Sequence, residues 1–282
     1  MATLSLITVV TPVINGGHHY LPETYESIRK QELPPGWSWQ WCVQEDGDTG
    51  EPGALLPDDS RISYGTALPG RAGVTRTMAL SRARGTLIRT LDADDVLLPG
   101  ALARDIEALN RVGWCTSAAL DLHADGTMTP GPNDPPDGPL PAEFFYREQQ
   151  ENRLSVLAAT FAAHIDLVWA LGGWTALTGA ETIGLLLAAE AVSAGEFIAE
   201  PSMLYRKHGD QTTASERYWD DGESDARLTI ALERAKALRG MGWKWQQPRP
   251  FDPAACEAEE QDRAQLPPEG RQAAAMARMT TQ

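Results

Sequence analysis

Cysteine is scarce in this chain. Its 282 residues hold three, Cys42, Cys115 and Cys256. They are scattered, without the short spacings of a metal centre. Two lie in apolar, strand-like runs, where a buried thiol in a reducing compartment is the ordinary state. Positive charge is also short. There are 24 Lys and Arg against 39 Asp and Glu, a formal net charge of -15, which argues against non-specific nucleic-acid binding because that needs cations to neutralise phosphates. An anionic ligand stays open, since local field outweighs total charge. Long apolar runs are missing too. The most apolar stretch, residues 183–192, is too short to span a bilayer and contains Glu190. No basic-then-apolar leader opens the chain, and no repeat of fixed period is visible. The expectation is a soluble, cytoplasmic protein of one large domain or two small ones, 42% hydrophobic and able to bury a substantial core.

What the chain does have is a cluster of acids in a telling place. The apolar run Thr86-Leu87-Ile88-Arg89-Thr90 leads into Leu91-Asp92-Ala93-Asp94-Asp95, followed by Val96-Leu97-Leu98-Pro99-Gly100. This reads as a strand ending in three acids, a turn, and a helix opening near Pro99. Carboxylates one residue apart at a strand end aim oxygens at one point, and a hard divalent cation binds one or two carboxylates plus substrate phosphates. Acids at strand ends also cap helices or face water, so the surrounding pattern has to decide.

That pattern alternates. Strands are expected at residues 4–10, 37–43, 62–64 and 86–90, with a loop at 12–19. Helices are expected at 22–31 and at 73–84, the latter stopped by Gly85. Strand–helix alternation implies a mostly parallel sheet flanked by helices, with ligands at the carboxyl ends of the strands. Asp46 and residues 92–95 both fall at such ends and are expected to be neighbours. Further on, the sequence suggests helices at 99–111, 165–171 (stopped by Gly172-Gly173), 181–193 and 227–239, and strands at 114–121 and within 196–205. Residues 129–141, rich in Pro, Gly and Asp, read as a mobile loop. Residues 248–282 read as a disordered or loosely docked tail.

Taken together, residues 4–213 resemble the family 2 glycosyltransferases of GT-A fold. The run from Ala79 to Asp95 is similar to the segment leading into that family's DxD metal motif. Thr11-Pro12, Asp46, Gly172-Gly173-Trp174 and Tyr205-Arg206-Lys207-His208 match in order and spacing. The resemblance implies an α/β protein in which a Rossmann-like nucleotide-binding sheet, residues 1–112, merges with a smaller acceptor-binding part, residues 113–247. It implies a divalent cation, Mn or Mg, held by Asp94 and Asp92, with His208 completing the shell. Asp95 either supports that shell or caps the next turn, and Asp210 and Gln211 lie beside His208. It further implies nucleotide binding by Pro12, Val13, Asp46, Arg76, Asp92 and Ala93. Asp46 would accept from the nucleobase, and Arg76 would pair with diphosphate or with Asp92, with Arg71 a further cation nearby. Thr77 departs from the family's Asn. Glu181 aligns with the catalytic base if it matches the second acid of the family's Glu-Asp pair; otherwise Thr182 falls there, and a Thr cannot take the proton. Trp169 and Trp174 either stack on an acceptor or pack in the core.

The expected activity is transfer of a sugar from a nucleotide diphosphate donor, UDP-sugar as first guess, to the hydroxyl of a small-molecule, polysaccharide or protein acceptor, with inversion. Two alternatives share these features. A sugar-phosphate nucleotidyltransferase normally carries a basic Gly-rich loop after its first strand, and residues 11–19 hold no Lys or Arg. A degenerate, non-catalytic member of the fold would bind nucleotide without turnover.

Overall fold

The β-branched run of β1, Ser5–Val13, is buried along most of its length and forms an interior strand of the sheet. The computed structural model describes residues 4–247 apart from 15, 132, 210 and 212–215. Around β1 are ranged β2 (Trp37–Glu45), β3 (Ile62–Gly65), β4 (Leu87–Thr90), β5 (Val96–Leu97), β6 (Trp114–Leu122), β7 (Met128–Pro130), β8 (Gly138–Pro139), β9 (Ala162–His164) and β10 (Gly195–Arg206). The helices are α1 (Leu21–Arg29), α2 (Glu51–Ala54), α3 (Arg71–Leu80), α4 (Ala101–Leu109), α5 (Phe144–Gln150), α6 (Ile165–Ala170), α7 (Glu181–Val192) and α8 (Asp221–Gly240).

The strand order is β3-β2-β1-β4-β9-β6-β10-β5, with β7 on β6 and β8 on β10. Strands β1 to β4 run parallel, and so do β6 and β10. The short β9 sits antiparallel between β4 and β6. Two reversals restore direction, so the carboxyl ends of β1, β2, β3, β4, β6 and β10 all lie on one edge. This is where ligands bind in open α/β sheets.

Each face of the sheet carries its own core. One joins Ala79 and Leu80 of α3 to Phe145, Leu167, Val168, the Leu185–Ala189 run of α7, and Ala231 and Ala235 of α8. The other joins Leu21 and Ile28 of α1 to Leu102, Ile106 and Leu109 of α4. Strands from residues 4–112 and from 113–246 lie in one continuous sheet, and the described residues up to Gln246 form one compact unit.

Several expectations shift in detail. Strand β1 continues through Pro12 and Val13, which were read as loop. Helix α3 ends at Leu80, well before Gly85. The segment 129–141 contains most of β7 and all of β8, because both find open edges on β6 and β10. Helix α5 was not foreseen. Its first amides, Phe145 N–H and Tyr146 N–H, donate to the buried carboxylate of Glu190 at 2.8 and 2.9 Å, a cap supplied from α7 instead of from the preceding residues. Cys42 and Cys115 are buried free thiols, as read; Cys256 and the tail lie outside the described residues. Among the described residues no helix is long and apolar enough to cross a membrane.

Candidate active site

Strand β4 delivers the acids. Leu91 N–H still bonds Val10 O on β1, at 3.1 Å, and the chain then turns, with Asp95 N–H donating to Asp92 O at 3.2 Å. Thr24 of α1 pins the turn, its hydroxyl shared between Ala93 O at 2.8 Å and Asp95 O at 3.1 Å. Asp95 points inward, and Arg206 N–H reaches its Oδ1 at 3.0 Å. Its Oδ2 is buried with no partner among the described residues. Asp94 turns the other way, and His208 Nε2 lies 2.8 Å from its Oδ2. Arg206 ties the cluster together, donating from Nε to Asp94 O at 2.9 Å and from Nη2 to Glu23 at 2.6 Å. Its guanidinium lies over the Tyr20 ring, which in turn sits 5.5 Å from His208. Burial first, and then the neighbouring Asp92 charge, raises the Asp94 carboxyl above its ordinary range; His208 offsets part of this. Asp95 is raised much further, by burial and then by Asp92 and Asp94.

Arg76 is the pivot of the site. It projects from α3 with 4% of its side chain exposed, and it donates to Asp92 Oδ1 through Nη2 and to Glu181 Oε1 through Nη1. Of the two pairings expected for Arg76, the one with Asp92 is present. The reach to Glu181 was not foreseen. It depends on Gly73, one turn earlier on α3: a Cβ there would collide with Thr175 O and crowd the Glu181 side chain. Glu181 opens α7, where the helix dipole favours an acid. Its side chain is 12% exposed and that of Asp92 31%. Thr182 Oγ1, Trp174 Nε1 and Arg76 Nε are buried without hydrogen-bond partners among the described residues.

Asp46 stands at the carboxyl end of β2, with β1 between it and the Asp92 turn. Its carboxylate receives Gly70 N–H at 2.6 Å and Arg71 N–H at 3.2 Å, so it caps α3 while remaining partly exposed. Arg71 adopts the left-handed region, φ 67°. Pro12 is partly exposed and Val13 is 2% exposed, on the adjoining end of β1. Glu45, which sequence reasoning passed over, organises the loop behind Asp46. It accepts from Thr49 N–H, the Thr49 hydroxyl, Gly50 N–H and the Tyr64 hydroxyl. Burial raises its pKa, but these donors outweigh burial and leave it lowered. Its adjacency to Asp46 was the available signal. Arg206 also went unassigned, although it directly precedes Lys207-His208. Trp174 is buried, 3% exposed, in the core, while Trp169 is 51% exposed. Asp210 lies outside the described residues.

The donor set can be tested against a divalent cation. Among the described residues no three His, Cys, Asp or Glu side chains are grouped to hold one. Asp92 is engaged by Arg76, and Asp94 and His208 face each other. Two protein donors beside a crowd of acids fit a cation that takes its remaining ligands from substrate phosphate and water, and imidazole suits manganese among such ions.

A family model described as "Glycosyl transferase family 2" matches residues 8–157, just over half the chain. The chain belongs to that family. It is a glycosyltransferase of GT-A fold. A search of curated proteins found no match. Among solved structures, S. aureus TarS residues 1–349 in complex with UDP-GlcNAc is similar at TM-score 0.64 and 15% identity, over 83% of this chain and 70% of that one. The same fragment with UDP gives TM-score 0.61 and 14% identity, over 83% and 70%. A further structure of S. aureus TarS gives TM-score 0.58 and 15% identity, over 84% of this chain and 44% of that one. At these identities the likeness speaks to fold.

Proposed function

We propose that this chain transfers a sugar from a nucleotide diphosphate donor to an acceptor hydroxyl with inversion, and that the donor is a UDP-sugar. The observation that carries the reading is the Arg76 bridge, which ties the Asp92 carboxylate at the end of β4 to the Glu181 carboxylate at the start of α7. One guanidinium thus joins the expected donor site to the expected base. UDP as the nucleotide is supported by the similarity to a protein solved with UDP-GlcNAc and with UDP.

In this reading Asp46 and the Pro12-Val13 end of β1 hold the nucleobase. A carboxylate only accepts hydrogen bonds, so Asp46 favours an imino or amino edge such as uracil presents. Ala93 lines the slot, and Asp92 accepts from the ribose. Asp94 and His208 would hold a manganese or magnesium ion. When bound, that ion would neutralise charge developing on the leaving group. Arg76 fixes Glu181 through Oε1. Oε2 has no hydrogen bond among the described residues, and it takes the proton from the acceptor hydroxyl as that oxygen attacks the anomeric carbon. The acceptor is a small molecule, a polysaccharide or a protein.

The test is a thermal-shift panel of nucleoside diphosphates with and without manganese, in which a ligand at about a hundred times its Kd adds roughly 2.7 kcal/mol. UDP with manganese should raise the midpoint most. Glu181→Gln should keep that shift and lose UDP release from UDP-GlcNAc. Absence of any UDP shift, or full turnover in Glu181→Gln, would refute the reading.

A further inference from the structure

The family match ends at residue 157, so it covers Arg76, which holds the Glu181 carboxylate, but neither Glu181 nor the turn that leads into it. That turn is held from the C-terminal part of the chain. Helix α7 is entered through Thr178-Gly179-Ala180, and Ala180 sits at φ 58°, a left-handed conformation that a residue with a Cβ seldom adopts. Such a turn persists only where its surroundings over-determine it.

Two contacts do so here. The Thr178 hydroxyl donates to Glu223 on α8. The Tyr218 ring lies against Gly179, where a Cβ would stand 2.5 Å from the ring. Tyr218 is itself fixed from α8. Arg227, 4% exposed, donates to the Tyr218 carbonyl and places its guanidinium 4.3 Å from the ring centre. Glu223 accepts from Arg227 as well, at 3.4 Å, closing the loop of contacts.

We infer that Tyr218 is a positioning residue, which from the C-terminal segment locks the backbone turn that aims the Glu181 carboxylate. The inference rests on Glu181 being the base. Burial and then the nearby Glu181 charge raise the Tyr218 phenol, so it stays neutral at physiological pH and adds no second anion beside Glu181.

The full-length protein with Tyr218→Leu tests this, because the ring that bears on Gly179 is lost. Amide exchange at Gly184, whose N–H donates to Ala180 O at 2.9 Å, should speed up about five- to tenfold when read by NMR, the worth of one hydrogen bond. Gly179→Ala, which crowds the ring from the other side, should speed the same amide. UDP release from UDP-GlcNAc with manganese should show kcat down roughly tenfold or more with the donor KM unchanged, because a misaimed base slows chemistry without weakening donor binding. In a Glu181→Gln background, Tyr218→Leu should change kcat no further. Unchanged Gly184 exchange in Tyr218→Leu overturns the inference, and so does an equal loss of kcat in both backgrounds. The exchange measurement needs no substrate, so it decides even where turnover is too slow to detect. Wild-type turnover in Glu181→Gln alone would fell the base assignment, and the exchange result would still say whether Tyr218 holds the turn.

Discussion

Two buried arginines stand on neighbouring elements and live in opposite ways. Arg89 of β4 is sealed. It is 0% exposed and its Nη1 donates to both oxygens of Asp105, at 3.0 and 2.9 Å. Its Nη2 reaches Ser202 at 2.6 Å and its Nε the Thr90 carbonyl at 3.1 Å. Asp105 is as buried as its partner. Arg76 of α3 is almost as deep, but its partner Asp92 is 31% exposed at the ligand edge, and its Nε is unpartnered among the described residues. A fully satisfied pair holds elements in register. A pair left open at one end keeps its acids available for something else. Burial alone therefore does not separate a structural charge from a working one; the exposure of its partners does.

Breaking the sealed pair should have the largest effect on stability. Arg89→Met leaves the Asp105 carboxylate buried without a counter-charge, which costs about 3–5 kcal/mol. Urea unfolding should show it, while the turnover of the folded fraction stays near wild type. Adding Asp105→Leu should restore most of the loss, since an apolar pair of similar volume replaces a buried ion pair at little cost. A double variant no better than the single would mean that the ion pair itself, not the orphaned charge, carries the energy.

Breaking the open pair should reverse the balance. Arg76→Met should lower UDP release from UDP-GlcNAc by about a hundredfold, as removal of one preorganised electrostatic group does. It should cost less stability than Arg89→Met, because Asp92 keeps water when its partner goes. If Arg76→Met proves the more destabilising and leaves turnover intact, the contrast between the two arginines is wrong.

The same contrast explains what could be read from the chain. The Ala79–Asp95 run was legible because helix end, strand and acids follow one another, and the strand period puts the acids at a carboxyl edge. Glu181 was legible as a helix-start acid, but its partner Arg76 lies 105 residues away, and no local rule joins them. Helix α5 was hidden for a similar reason, because its cap is Glu190 on α7. Strand β9 is three residues, Ala-Ala-His, with no alternation to detect. Tyr218 gives no sequence signal at all, since it becomes meaningful only where the chain folds back on Gly179.

The smallest effect concerns a partly exposed pair at the sheet's outer end, where solvent should erase most of the advantage that Arg89 enjoys. Asp59 accepts from Arg61 N–H, Nε and Nη2 and from the Tyr25 hydroxyl, while Arg61 stacks 3.6 Å from the centre of the Trp39 ring. The Arg61 side chain leads the causes that lower its carboxyl from 3.8 to about 2. A depressed folded pKa means that the folded state holds its proton less tightly than the unfolded one. The stabilisation is therefore complete above the unfolded value and fades as pH falls through the folded one. Asp94, Asp105 and Glu190 are raised and contribute the opposite slope, so the wild-type profile alone does not isolate Asp59. The difference between wild type and Asp59→Asn does. That difference in unfolding midpoint should be constant above pH 4 and shrink between 3.8 and about 2. It should also be smaller than the Arg89→Met loss at every pH, because a pair that solvent still reaches is worth about 0–1 kcal/mol. A difference that stays flat across that interval would mean the Arg61 contacts do not hold Asp59 ionised, and that at this edge geometry without burial has no energetic consequence.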